Sequence, residues 1–385
     1  MKPKRIYLDF AASTPTDPAV VKAMMPYFTE EFGNPGSLHS FGQEAQGAVD
    51  KARESVAKAI GADFREVIFT GSATEANNLV LRGVTGAARP IRPKIIISSI
   101  EHESILDTAR DLEKDACLRR QGVEMVYIPV DKKGIVDIEK IKDALDGRTT
   151  LVSVMYVNNE IGSIQPIQEI SRLIKNSGGH ALLHTDAAQA FNYFDCNVKK
   201  LGVDLMTLSG QKIYGPKGIG ALYVGKSAQE KLKPIVTGGG QEFGLRSGTE
   251  NVAAIVGFGK AVELAEKSRS KNTKEVKALK DYFWRGLKKF YPQAEMNGDS
   301  KAPHILNVYF PTEYAGDLLV KLDIAGVAAS AGSACSARSY APSPVLQALG
   351  LSQERVRGSL RFSFGKTLKT EDMKRALKQI EGVIR

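Results

Sequence analysis

From about residue 45 to 225, short apolar runs alternate with polar segments whose apolar residues recur at helical spacing. The runs lie at 66–70, 94–98, 124–129, 150–157, 181–186 and 205–209. Each is short and most are rich in Ile, Val or Leu, the pattern of strands buried on both faces. In one intervening segment Ala45, Val49, Ala52, Val56 and Ile60 share a helical face, and Gly61 stops the run. Alternation of this kind predicts an α/β domain around a mostly parallel sheet flanked by helices. Residues 218–224 read as one more strand after a Gly/Pro turn. A charged helical stretch, 252–291, then leads into strand-like 305–310 and 359–364, with helices near 317–325 and 369–384. That part reads as a smaller α+β domain. The expected division is 15–255 for the large domain, with 1–14 and 256–385 forming the small one.

A chain of 385 residues suits about two domains. Its net charge of +10 comes from Lys and Arg spread along the chain, with no basic run interleaved with aromatics. This predicts a basic surface that attracts anionic ligands rather than a nucleic-acid binder. No apolar run approaches the roughly 20 residues of a membrane helix, and the basic start is not followed by an apolar stretch of signal-peptide length. The chain is therefore expected to be complete and cytoplasmic, without a membrane partner. Cys117, Cys196 and Cys335 are few, odd in number and far apart, which fits a reducing compartment. No ligand spacing suggests a resident metal.

Ligands of open α/β sheets bind beyond the carboxyl ends of the strands, and several ends carry polar residues. Ser72-Ala73-Thr74-Glu75 forms a capping-box pattern. It is either only a well-capped helix or also a phosphate cradle. His102 is either a hydrogen-bonded loop residue or an aromatic group over a ligand. Asn158 and Asn159 suit a turn. Asp186 ends an apolar strand, where a carboxylate needs a partner, either a Lys or Arg or a protonated heterocycle. Lys212 follows another strand in a Gly-rich turn, which suits a lysine that forms a Schiff base with a carbonyl cofactor. One carboxylate, one lysine, a phosphate-binding helix start and a stacking His together match the needs of pyridoxal 5'-phosphate, with Asp186 keeping the pyridine nitrogen protonated. Cys335 sits among small residues, Ala329 to Ser339, in a surface-loop pattern, and is a candidate nucleophile. Cys117 and Cys196 read as structural.

These residues belong to a longer series of motifs. They include Phe32-Gly33-Asn34-Pro35, Ala73-Thr74-Glu75, Glu101-His102, Val157-Asn158-Asn159-Glu160 and Asp186-Ala187-Ala188-Gln189. Further along come Lys212 to Gly218, Gly238-Gly239-Gly240-Gln241-Glu242, Arg246-Ser247-Gly248-Thr249 and Gly332-Ser333-Ala334-Cys335. From Tyr7 to Ser363 the chain resembles cysteine desulfurases of the NifS/IscS type, class V aminotransferases of pyridoxal-phosphate fold type I. The resemblance implies conversion of L-cysteine to L-alanine, with the sulfur passing to Cys335 as a persulfide. It implies that Lys212 binds the cofactor aldehyde, Asp186 pairs with the ring nitrogen, His102 stacks on the ring, and Gln189 bonds its oxygen with Asn159 nearby. Ala73, Thr74 and Ser209 hold the phosphate, joined by Thr249 from the neighbouring subunit of a homodimer. Arg361 clamps the substrate carboxylate, with Asn34 and Asn159 as further substrate contacts. The implied partner is a sulfur-acceptor protein such as an iron–sulfur scaffold, with which Cys335 could transiently share a cluster.

Two departures stand out. Gln211 replaces the family's usual His; its amide can donate to phosphate but cannot become cationic. The chain also ends soon after its last helix, so docking of a scaffold by a longer tail is not expected. The rival readings are another class V enzyme, such as an aminotransferase or selenocysteine lyase, and a non-catalytic binding protein of the same fold.

Overall fold

The computed structural model describes residues 5–88, 92–114, 122–178, 180–332 and 342–384; Cys117 and Cys335 lie outside them. In chain order the strands are β1 (Ile6–Tyr7), β2 (Val67–Thr70), β3 (Lys94–Ser98), β4 (Glu124–Ile128), β5 (Thr149–Ser153) and β6 (Leu182–Asp186). They continue with β7 (Leu205–Ser209), β8 (Gly220–Val224), β9 (Glu295–Met296), β10 (Ile305–Tyr309), β11 (Val327–Ala328) and β12 (Ser359–Ser363).

Seven strands form the main sheet in the order β2-β8-β7-β6-β5-β3-β4. Only β8 runs against its neighbours; β7, β6, β5, β3 and β4 pair in parallel. The connections explain this. Helices such as Ala73–Ala87, Glu103–Lys114 and Ile167–Asn176 carry the chain back between parallel strands, whereas β7 and β8 are joined by a short turn without a crossover helix. The expected strand at 150–157 stops at Ser153 because the Met155 N–H leaves the ladder and donates to Glu101 Oε1 at 2.7 Å.

Side chains alternate across the sheet, so it feeds two cores. Ile96, Val152, Leu183 and Met206 enter one, and Ile95, Ile97, Leu151, Leu182 and Leu205 enter the other. A third core gathers Ile6, Leu8, Leu306, Val308, Leu360 and Phe362 under the helix Thr370–Ile384. Here β12-β10-β9 form one sheet and β1-β11 a second. The 39-residue helix Val252–Phe290 runs without a break through the boundary expected near residue 255. Its Ala254, Phe258 and Val262 pack in the first core, and its Val276, Phe283 and Leu287 in the third. Gly259 lets it lie against the helix Ser40–Ile60; a Cβ there would stand 2.9 Å from Ala52. No described helix is long and apolar enough to cross a membrane.

Candidate active site

A cleft opens beyond the carboxyl ends of the parallel strands. Past β2 it is lined by Ser72, Ala73 and Thr74, past β3 by His102, and past β5 by Asn159. Asp186 and Gln189 come from the end of β6, and Ser209, Gln211 and Lys212 from the end of β7. Arg361 enters from β12, and the backbone of Ala11 and Ala12 closes one wall.

At one end the helix Ala73–Ala87 begins. Ser72 caps it, its hydroxyl accepting from Glu75 N–H at 3.1 Å. The capping box is only half present. Glu75 turns one residue further back, accepting from Gly71 N–H at 2.8 Å and pairing with Arg246 Nε at 2.8 Å. The helix start is pressed onto the sheet at Gly220, where a Cβ would stand 2.8 Å from Leu208 O and 2.9 Å from Ala73 N. Backbone donors in this first turn suit an anion such as phosphate.

Asp186 is buried, 5% exposed, and its partners are neutral: Asn77 Nδ2 at 2.8 Å and Ala188 N–H at 2.9 Å. The other hydrogen of Asn77 Nδ2 goes to Ser104 Oγ at 2.9 Å, so that hydroxyl donates onward to His102 Nδ1, also at 2.9 Å. Ser104 N–H donates to the same nitrogen at 3.1 Å. His102 Nδ1 is therefore the bare nitrogen of a neutral ring, and burial pushes its pKa down. Sequence reasoning missed Asn77 and Ser104. The available signal was a polar Asn on the otherwise apolar face of its helix, beside Ala76 and Val80.

Lys212 ends the short 3₁₀ turn Gly210–Lys212 directly after β7. Its Nζ donates to Ala11 O and Ala12 O, each at 2.6 Å. Asn192 Nδ2 holds the Lys212 carbonyl at 3.0 Å, and Thr14 N–H holds that of Gln211 at 2.9 Å. Two residues on, Tyr214 adopts φ +63°, a left-handed conformation that a bulky residue keeps only when its surroundings impose it. Thr14 Oγ1 accepts its N–H, and its hydroxyl accepts from Lys366 N–H. The amine is thus held on carbonyls by a tightly tied turn. The wall formed by Ala11 and Ala12 was also missed from sequence.

Arg361 is 1% exposed. It donates from Nη2 to Asp9 Oδ1 and from Nη1 to Asn159 O, both at 2.8 Å. Its Nε and the Asn159 Oδ1 are buried without a hydrogen-bond partner. Both residues line the cleft, and a buried polar atom left without a partner beside it is consistent with a site that takes a polar ligand.

Two expected residues do not line this cleft. Asn34 is exposed and its Oδ1 accepts from Gly36 N–H at 2.9 Å. Thr249 lines a separate depression with Thr70, Gly71 and Arg246. The loop before Thr249 is anchored by Glu242, which forms a buried bidentate pair with Arg53 at 2.7 and 2.8 Å. Cys335 lies outside the described residues; on either side of it, Ser330 pairs with Arg361, and Ser343 Oγ donates to Glu160 Oε2 at 2.5 Å. Cys196 is buried in the first core, which pushes its thiol up to about 12 and makes it inert.

Residues 6–376 match the family model described as aminotransferase class-V. The chain is 43% identical to the cysteine desulfurase IscS of Dictyoglomus turgidum, over 99% of this chain and 95% of that protein. It is 42% identical to cysteine desulfurase IscS 1 of Archaeoglobus fulgidus, over 98% of this chain and 96% of that one. A solved NifS-like protein superposes with a TM-score of 0.91 at 34% identity, covering 99% of both chains. A solved structure of SspA in complex with cysteine superposes with a TM-score of 0.80 at 35% identity, covering 93% of this chain and 98% of that one. Members of this family depend on pyridoxal phosphate. The chain therefore belongs to the class-V aminotransferase family, among its cysteine desulfurases.

Proposed function

We propose that this chain binds pyridoxal 5'-phosphate in the cleft and converts L-cysteine to L-alanine, moving the sulfur to Cys335. The observation that carries this reading is the convergence of Lys212, Asp186 and a helix N-terminus on one cleft. The donor set fits the cofactor. Asp186 is a buried carboxylate with neutral partners and suits a protonated ring nitrogen. The first turn at Ala73 and Thr74, with Ser209 and Gln211 beside it, suits the phosphate. Lys212 suits the aldehyde, His102 the ring face, and Gln189 and Asn159 the ring oxygen.

When bound, the cofactor supplies an electron sink that makes the substrate α-carbon acidic. The chain supplies the rest. Arg361 holds the substrate carboxylate, using a donor that Asp9 and Asn159 leave free. Lys212 takes the α-proton and later returns a proton. The Cys335 thiolate attacks the substrate sulfur, forming the S–S bond as the substrate C–S bond breaks. The balance is L-cysteine plus thiol giving L-alanine plus persulfide. The persulfide then passes to an acceptor such as an iron–sulfur scaffold protein.

A homodimer completes the site, with Thr249 reaching the partner's phosphate. The exposed Met25, Phe28, Phe32, Leu38 and Phe41 offer an apolar face for the second copy, and Asn34, the remaining substrate contact, lies within that segment. We assign the chain to the cytoplasm, and we place the large unit at 15–255 and the small one at 1–14 and 256–385. Incubation with ³⁵S-labelled cysteine followed by peptide mass spectrometry tests the reading. Wild type is expected to carry a persulfide on Cys335. Cys335→Ser is expected to keep the visible cofactor band and release no sulfide; sulfide release at the wild-type rate sinks the assignment.

A further inference from the structure

Gln189 touches the cleft, but its amide is oriented from behind. Its Nε2 lies 2.9 Å from Ala11 O, and a carbonyl oxygen can only accept, so the amide nitrogen must face that wall. Its Oε1 is therefore turned to the other side, where His304 Nε2 stands 3.2 Å away. An amide oxygen is an acceptor, so His304 must carry its proton on Nε2. The rest of the ring agrees with that tautomer. His304 Nδ1 is buried without a partner. Burial, with Lys280 and Arg361 nearby, pushes the pKa down to about 3, so the imidazole is neutral and has one N–H to give. The ring cannot easily turn: it stacks on Tyr193 with centroids 4.2 Å apart, and its backbone carbonyl accepts from Phe364 N–H at 2.8 Å.

We infer that His304 is a positioning residue that locks Gln189 with its amide nitrogen, not its oxygen, available to the cleft. One Nε2 hydrogen is spent on Ala11 O; the second is left for a ligand atom that accepts. The site thus selects an electron-rich oxygen at this position, such as a deprotonated phenolic oxygen, and disfavours a hydroxyl that must donate. This rests on the cofactor reading above and deepens it, because no direct contact of His304 with the cofactor is needed.

The test is the pH titration of the visible absorbance of the cofactor-loaded enzyme, a readout separate from turnover. A fixed donor to an anionic oxygen holds the chromophore pKa down. His304→Phe keeps a ring against Tyr193 and removes the donor, and is expected to raise that pKa by about one pH unit, the size of one charge-assisted hydrogen bond. His304→Gln restores an N–H at similar reach and is expected to titrate like wild type. Gln189→Ala is expected to shift as His304→Phe does, and the double variant no further than Gln189→Ala alone, because the two act through one bond. An unshifted His304→Phe, or a shift that adds fully to that of Gln189→Ala, overturns the role while leaving the cofactor reading intact. A colourless wild type supplied with pyridoxal phosphate overturns both.

Discussion

Arg361→Lys isolates what the guanidinium fork contributes. Alanine would strand Asp9 without its cation and Asn159 O without its donor, mixing stability with binding. Lysine keeps the positive charge that Asp9 pairs with, but it is a point charge and cannot serve Asp9, the Asn159 carbonyl and a substrate carboxylate in one plane. Arginine has five N–H donors, and two are committed in the structure, with Nε among those left over. The substitution therefore removes about one charge-assisted hydrogen bond to the substrate, worth about 1.5–3 kcal/mol. At 1.4 kcal/mol per decade, kcat/KM for L-cysteine falls roughly 10- to 150-fold. Initial rates of alanine formation against cysteine concentration measure it. The visible cofactor band should persist, since Lys212, Asp186 and the helix start are untouched. Asp9→Asn, which leaves the fork in place but loosens its orientation, should cost less. A kcat/KM within twofold of wild type in Arg361→Lys would refute the carboxylate clamp.

Lys212→Ala should abolish both the visible band and alanine formation, and absorbance after cofactor addition checks it. Glu242→Ala leaves the Arg53 guanidinium buried without its carboxylate and should cost about 3–5 kcal/mol in urea denaturation; Arg53→Met combined with Glu242→Leu should recover part of that, since no charge is then stranded. Stability should also depend on pH in a worked direction. His184, held near 4, and His304, near 3, stay neutral in the fold while their unfolded counterparts, near 6.5, take up protons, so each loses about 1.4 kcal/mol of stability per pH unit below 6.5. Glu101, pushed up from 4.5 to about 8, keeps a proton that the unfolded carboxyl releases, so its share declines as pH rises between those values. The melting temperature should peak near pH 6.5 and His184→Asn should flatten its acid side; an acid side as steep as wild type would argue against this account.

Legibility in the sequence followed the range of the interactions. β3 and β7 lie where the apolar runs 94–98 and 205–209 put them, because burial on both faces demands a continuous apolar run. Lys212 and Asp186 were visible because each directly follows or ends such a run. Asn77, Ser104 and the Ala11–Ala12 carbonyls were not. Their roles come from contacts such as Lys212 to Ala11, which spans 201 residues, and Asn77 to Asp186, which spans 109. Glu75 shows the same limit at short range: its spacing from Ser72 fits a capping box, yet Gly71 and Arg246 compete for its carboxylate and win. Arg361 was reached only through the family resemblance, since nothing local distinguishes an Arg in the run Leu360-Arg361-Phe362 from a solvated one.

The wiring of the cleft crosses between cores. Lys212 and Gln189, from the main sheet, both bind the carbonyl of Ala11, which follows Ile6 and Leu8 of the third core. Gln189 is also held by His304 at the start of β10, and Asn159 by Arg361 of β12. Lys212, Gln189 and Asn159 are thus each tied to a group on the other side, whereas Asp186 and His102 are held within the main-sheet unit, and a shift between cores would disturb the crossing bonds together. A ligand that engages these groups should therefore protect both sides at once, because binding to the native state alone stabilises whatever must be in place for it. Hydrogen exchange with and without cofactor reads this out. Amides around Ala11–Thr14, at the start of β10 and in β12 should slow on loading along with those at the ends of β6 and β7. Protection confined to the ends of the main sheet would mean that the cores move independently and that the cross-core bonds do not set the site.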